Sequence, residues 1–143
     1  MTDPEIVLDR LRHLQAALGR IREKNPQSGE ELFSSADMQD IVLRNMQNAL
    51  QSSLDIASHI VSDEGWGAPT KAGDFFLELA ARQVISTELA AHIIRLNKFR
   101  NILVHEYTRL DLTKTWDAIS TGTVHLNAFG EAISRWIELP PEQ

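Results

Sequence analysis

Asp3-Pro4-Glu5-Ile6-Val7-Leu8-Asp9-Arg10-Leu11-Arg12-His13-Leu14-Gln15-Ala16-Ala17-Leu18-Gly19-Arg20-Ile21 is the stretch on which the fold turns. Asp is a preferred helix N-cap, and Pro suits the first helical position, where its missing N–H leaves no bond unmade. Val7, Leu11, Leu14, Leu18 and Ile21 follow at 4-3-4-3 spacing. That spacing places all five on one helical stripe, whereas a half-buried strand would alternate every second residue. Asn25-Pro26-Gln27-Ser28-Gly29 breaks the pattern and ends the helix.

The same reading extends along the chain. Ser34, with Asp37 three residues on, predicts the start of a long helix reaching about Ser62. Met38, Val42, Met46, Ala49, Ile56 and Ile60 fall on its apolar side, and Arg44, Asn48, Asp55 and His59 on the other. Gly65-Trp66-Gly67-Ala68-Pro69 is a loop. A shorter helix is expected from Lys71 to Arg82, and another, capped by Ser86 or Thr87, carries Leu89, Ile93 and Leu96. Asp111 caps the last helix, whose stripe is Trp116, Ile119, Leu126, Ile133 and Ile137, and Pro140-Pro141 stops it. Gly122 inside that helix should cost about 1 kcal/mol relative to Ala. The expected fold is all-α, one domain over residues 1–143, an up-and-down antiparallel bundle of about five helices.

Composition narrows the function. The chain of 143 residues has no cysteine, so it holds no disulfide, thiolate metal site or thiol nucleophile. No apolar run has the length of a membrane span, and the N-terminal segment lacks a signal-peptide core, so the expectation is a cytoplasmic protein with no membrane partner. The net charge of −6 argues against a general nucleic-acid coat, and no DNA partner is expected. Charge is unevenly spread, however. Between Arg95 and Lys114 five cations (Arg95, Lys98, Arg100, Arg109, Lys114) face two acids, Glu106 and Asp111.

Within that basic segment lies Phe99-Arg100-Asn101-Ile102-Leu103-Val104-His105-Glu106-Tyr107. A permanent cation in an apolar helical run is costly unless it has a partner or a task. His can move a proton near neutral pH, and Arg offers a fork of donors matching phosphate oxygens. In RNA the 2′-hydroxyl is a built-in nucleophile, so such a pair needs neither a metal nor a nucleophilic side chain, and no cofactor is expected. On a straight helix, Arg100 and Tyr107 lie about 20° from eclipsed, but Arg100 and His105 diverge by about 140°. Either the helix ends or distorts near Val104, or a second copy of the chain completes the site. The plainer alternative makes Arg100 the partner of an acid on a neighbouring helix, His105 a cap or core residue and Tyr107 a core residue with its hydroxyl at the rim.

Other candidates are weaker. Asp55/His59 and Glu88/His92 are i,i+4 pairs that place two potential metal ligands on one face, but the doubled Glu-x-x-His of a di-metal bundle is absent. They read as helix-surface pairs, with no metal site, and Asp55 and His59 as possible lining of a cleft or a dimer interface. His13 and His125 have no identifiable partner. Trp66, Trp116 and Trp136 read as core or loop anchors.

Arg100, four residues, His105, one residue, Tyr107 resembles the R-x4-H-x-Y signature of HEPN-domain proteins, specifically the HepT-like toxins. Asn101 and Val104 match the fuller RN-x-x-VH-x-Y form. Leu54-Asp55-Ile56-Ala57-Ser58-His59-Ile60 is similar to that family's second helix, and the Pro69 loop followed by Phe76-x-x-Leu79 also fits. The resemblance implies a helical homodimer with a composite, metal-independent endoribonuclease site acting on RNA, with tRNA the expected substrate. It implies that Arg100 stabilises the phosphate and that His105 is the general acid or base; Asn101, beside Arg100 in the motif, and Asp55 and His59, from their polar side of the long helix, are candidate supporting residues. It further implies a minimal nucleotidyltransferase antitoxin as partner, transferring AMP to Tyr107. The competing reading is a non-catalytic helical module that only docks to such a partner.

Overall fold

The computed structural model describes the backbone of residues 2–105 and 111–138, and the side chains of residues 2–100 and 111–138. Six helices are present among them: α1 (Pro4–Lys24), α2 (Gly29–Ser34), α3 (Ala36–Glu64), α4 (Ala72–Ala81), α5 (Thr87–His105) and α6 (Leu112–Glu138). The all-α expectation holds, with one more helix than the five anticipated. The extra one is α2, in the stretch between the break at residues 25–29 and Ser34, to which no element was assigned. Ser28 accepts from the Glu31 N–H at 3.1 Å, and Leu32 seals the turn into the core. Six residues are too few to show a helical period, so only the cap pattern carried the signal.

Caps place the other boundaries. Asp3 accepts from the Glu5 N–H, and Asn25 closes α1 in the left-handed region at φ 47°. The cap of α3 is Ser35 rather than Ser34: its hydroxyl accepts from the Met38 N–H at 3.2 Å, while Ser34 instead donates to the Glu31 carbonyl. Gly65, at φ 69°, ends α3. Ser86 caps α5 through the Leu89 N–H, and Asp111 caps α6 through the Lys114 N–H.

Two pairs of neighbouring helices run antiparallel, α1 with α3 and α5 with α6. Thr2, just before α1, donates to the Glu64 carboxylate at the end of α3, which fixes those two helices as antiparallel neighbours. Trp66 meets Trp136 edge-on at 6.0 Å, and Phe76 meets Phe129 at 5.9 Å, so the far end of α6 returns to the end of α3 and to α4. One core runs through the bundle, with Leu14, Met46, Leu50, Ile60, Ile93 and Leu126 among its fully buried members. Gly122 has a packing reason. A Cβ there would lie 2.6 Å from Met46 Cε and 2.8 Å from Leu96 Cδ2. The helix gives up about 1 kcal/mol of propensity at this residue, and α6 approaches α3 and α5 closely in return. Among the described residues no helix is long and apolar enough to cross a membrane.

Candidate functional site

Ile93 and Leu96 point the inner stripe of α5 into the core. Arg100 comes one turn after Leu96 and seven residues after Ile93, so helix register turns it to that same inner side. Its Nε is buried and has no hydrogen-bond partner. No acid among the described residues pairs with it, so the neutralised-Arg alternative finds no support there. One turn earlier, Asn97 is 9% exposed. Its amide donates to the Ile93 carbonyl at 3.1 Å, leaving a buried Oδ1 with no partner. A donor and an acceptor are thus both left open on one turn. Each such group costs about 1–3 kcal/mol when buried unmet, a cost that a purely structural helix would shed. Asn97 was not singled out from sequence. The signal available was a polar residue on an apolar stripe, three positions before the Arg.

Helix α5 continues to His105 as its last residue. The about 140° divergence between positions 100 and 105 therefore stands within one subunit. The side chains of Asn101 and His105, and all of Tyr107, lie outside the described residues.

Asp55 and His59 are placed elsewhere. Asp55 accepts from the Gln51 amide at 2.8 Å, and His59 Nε2 lies 3.1 Å from Asp63 Oδ2, off the axis of a good hydrogen bond. Both line a cleft of about 600 Å³ with Ile6, Arg10, Pro69 and Phe75. The close approach at Gly122 sets Met46 level with Leu96. Because α3 and α5 run antiparallel, Arg100 sits on the order of 20 Å along the bundle from Asp55. One subunit does not bring these residues to the Arg.

Glu88 and His92 do not form the i,i+4 pair either. His92 stacks on His125 of α6, ring centroids 3.9 Å apart and planes 9° from parallel, which supplies the partner that the sequence did not reveal for His125. Burial, then the neighbouring His92 and Arg95, lower the His125 pKa below the usual imidazole value. Among the described residues no three His, Asp or Glu gather to hold a metal ion. The tryptophans are anchors as expected: Trp116 packs on Gly29, and Trp66 lies against Trp136 and under the Arg82 guanidinium.

Residues 14–133 match the family described as ribonuclease HepT-like. The chain is 32% identical over 118 residues to the tRNA nuclease HepT of Aphanizomenon flos-aquae, covering 82% of this chain and 80% of that protein. It is 28% identical over 108 residues to the mRNA nuclease HepT of Shewanella oneidensis, covering 76% and 80%. In fold it is similar to a tri-AMPylated Shewanella oneidensis HEPN toxin solved in complex with MNT antitoxin, with TM-score 0.82, 24% identity, and 94% of this chain and 99% of that one covered.

Proposed function

The chain belongs to the ribonuclease HepT-like family, and from that premise we propose that it is an endoribonuclease toxin whose site is shared by two copies of the chain. The observation that carries the reading is Arg100: a guanidinium turned to the buried side of α5, its Nε unmet and no described acid beside it. Such a group is held ready for an anion, and the scissile phosphate is the anion that the chemistry supplies. The 2′-oxygen attacks phosphorus, the bond from phosphorus to the 5′-oxygen breaks, and one His105 takes the 2′-hydroxyl proton. The His105 of the second copy gives a proton to the leaving oxygen. Two copies resolve the divergence of positions 100 and 105 along one helix. No step needs a metal ion.

The proposed RNA is tRNA, as for the relative at 32% identity, although the relative at 28% is named for mRNA. The proposed site of action is the cytoplasm. The proposed antidote is a minimal nucleotidyltransferase acting on Tyr107: the phenol oxygen attacks the α-phosphorus of ATP and pyrophosphate leaves. The added anion at the motif would exclude RNA by charge and bulk.

Purified protein should cleave tRNA in the presence of EDTA, and His105→Ala should stay folded and inactive. Sustained cleavage by pure, folded His105→Ala protein would overturn the assignment. The net charge of −6 favours a second reading, a docking module without catalysis. In that case expression without the antitoxin leaves growth unaffected while partner binding stays tight.

A further inference from the structure

Arg100 lies on the inner side of α5, yet the outer side of the same helix also carries cations with no assigned role. Arg95 and Lys98 are exposed there. One turn before Arg95, the half-buried His92 and His125 lie face to face at 3.9 Å. Among the described residues, none of these four side chains forms an ion pair. The acids nearest the two stacked rings in sequence are Glu88 on α5 and Glu131 on α6, and neither pairs with the four.

His92, Arg95 and Lys98 step three residues at a time, about 60° around α5 per step, so they form a stripe that winds around the helix, with His125 stacked on its first member. Lys98 and helix position 105 are seven residues apart, about 20° from eclipsed and about 10 Å along the axis. His92 lies about 20 Å along the axis and about 140° around it from position 105, so the winding stripe spans several nucleotides of a strand that follows it.

We propose that His92, Arg95 and Lys98 of α5, with His125 of α6, form a phosphate-binding track that holds single-stranded RNA running from the scissile phosphate. The track rests on the ribonuclease reading, which is what makes RNA the expected strand. A molecule of net charge −6 does not attract polyanions over its whole surface, so a local cationic stripe selects where the strand lies. The outer ring faces of the histidine stack also suit a splayed base.

The test measures binding of a fluorescein-labelled 2′-O-methyl oligoribonucleotide, which lacks the nucleophile and stays intact, by anisotropy across a salt series. The Arg95→Ala/Lys98→Ala double variant should bind at least tenfold more weakly. Its log affinity against log salt should be shallower by about 1.4, from two lost phosphate contacts on a single strand. His125→Gln should show a smaller loss, with melting temperatures confirming that both variants are folded. Wild-type affinity and salt slope in the double variant would overturn the track. So would unchanged RNA binding joined to loss of an acidic protein partner, because the stripe would then be a protein-docking surface. Cleavage of unmodified RNA by the wild-type protein is scored separately: salt-dependent binding without cleavage sinks the ribonuclease reading and leaves the track standing.

Discussion

Val7, Leu11, Leu14 and Ile21 on α1 and Leu50, Ala57, Ile60 and Val61 on α3 build an apolar, buried seam, and the fully buried Ser53 beside it is met, its hydroxyl donating to the Leu50 carbonyl. The inner face of α5 starts in the same way with Ile93 and Leu96, then changes to Asn97 and Arg100, whose buried polar atoms are left open. The two regions share a helix period and differ in what they optimise. The seam minimises free energy in the isolated chain. The second half of α5 gives up stability to keep donors and acceptors ready for a ligand.

The sharpest way to break that contrast is to damage the apolar region. Phe129→Ala removes a fully buried ring in edge contact with Phe76 and should cost about 3–5 kcal/mol, read from urea unfolding. A loss below 1 kcal/mol would mean that the apolar core is not the stabilising half. At the polar end the sign should invert. Arg100→Met keeps length and apolar bulk while deleting the unmet Nε, so stability should hold or rise by about 1 kcal/mol while RNA cleavage disappears. A Met variant that unfolds more easily than wild type would show that Arg100 is structural.

The smallest effect concerns His125. Its pKa in the folded chain is below the unfolded value, so the unfolded state binds the proton first as pH falls through the imidazole range. Stability should therefore decline between pH 7 and the lowered folded pKa, then level off. His125→Gln should flatten that slope in melting curves taken across pH, and an unchanged slope would assign it to another group.

Much of this was legible in the residues. The seams of α1 and α3, the caps at Asp3 and Asp111, the loop at Gly65 to Pro69 and the Arg100 motif all follow from local spacing. The α3 cap was displaced by one residue, because Ser34 and Ser35 both suit the position and only the turn of α2 decides between them. Asp55 and His59 were read as lining a cleft or a dimer interface from their polar side of the helix; they line a cleft, about 20 Å along the bundle from Arg100. His125 had no partner in sequence because its partner, His92, is thirty-three residues away on another helix.

Sequence alone determined the helices, their capped ends, the all-α class and the identity of the motif, since each is encoded within a few neighbouring positions. Only the tertiary structure decided that Arg100 is turned inward with an unmet Nε, that Asp55 lies far from it along the bundle, that Gly122 is space for Met46 and Leu96, and that two histidines stack. Those facts depend on how separate helices are aligned and how closely they approach, and that is set by packing many side chains at once rather than by any local pattern.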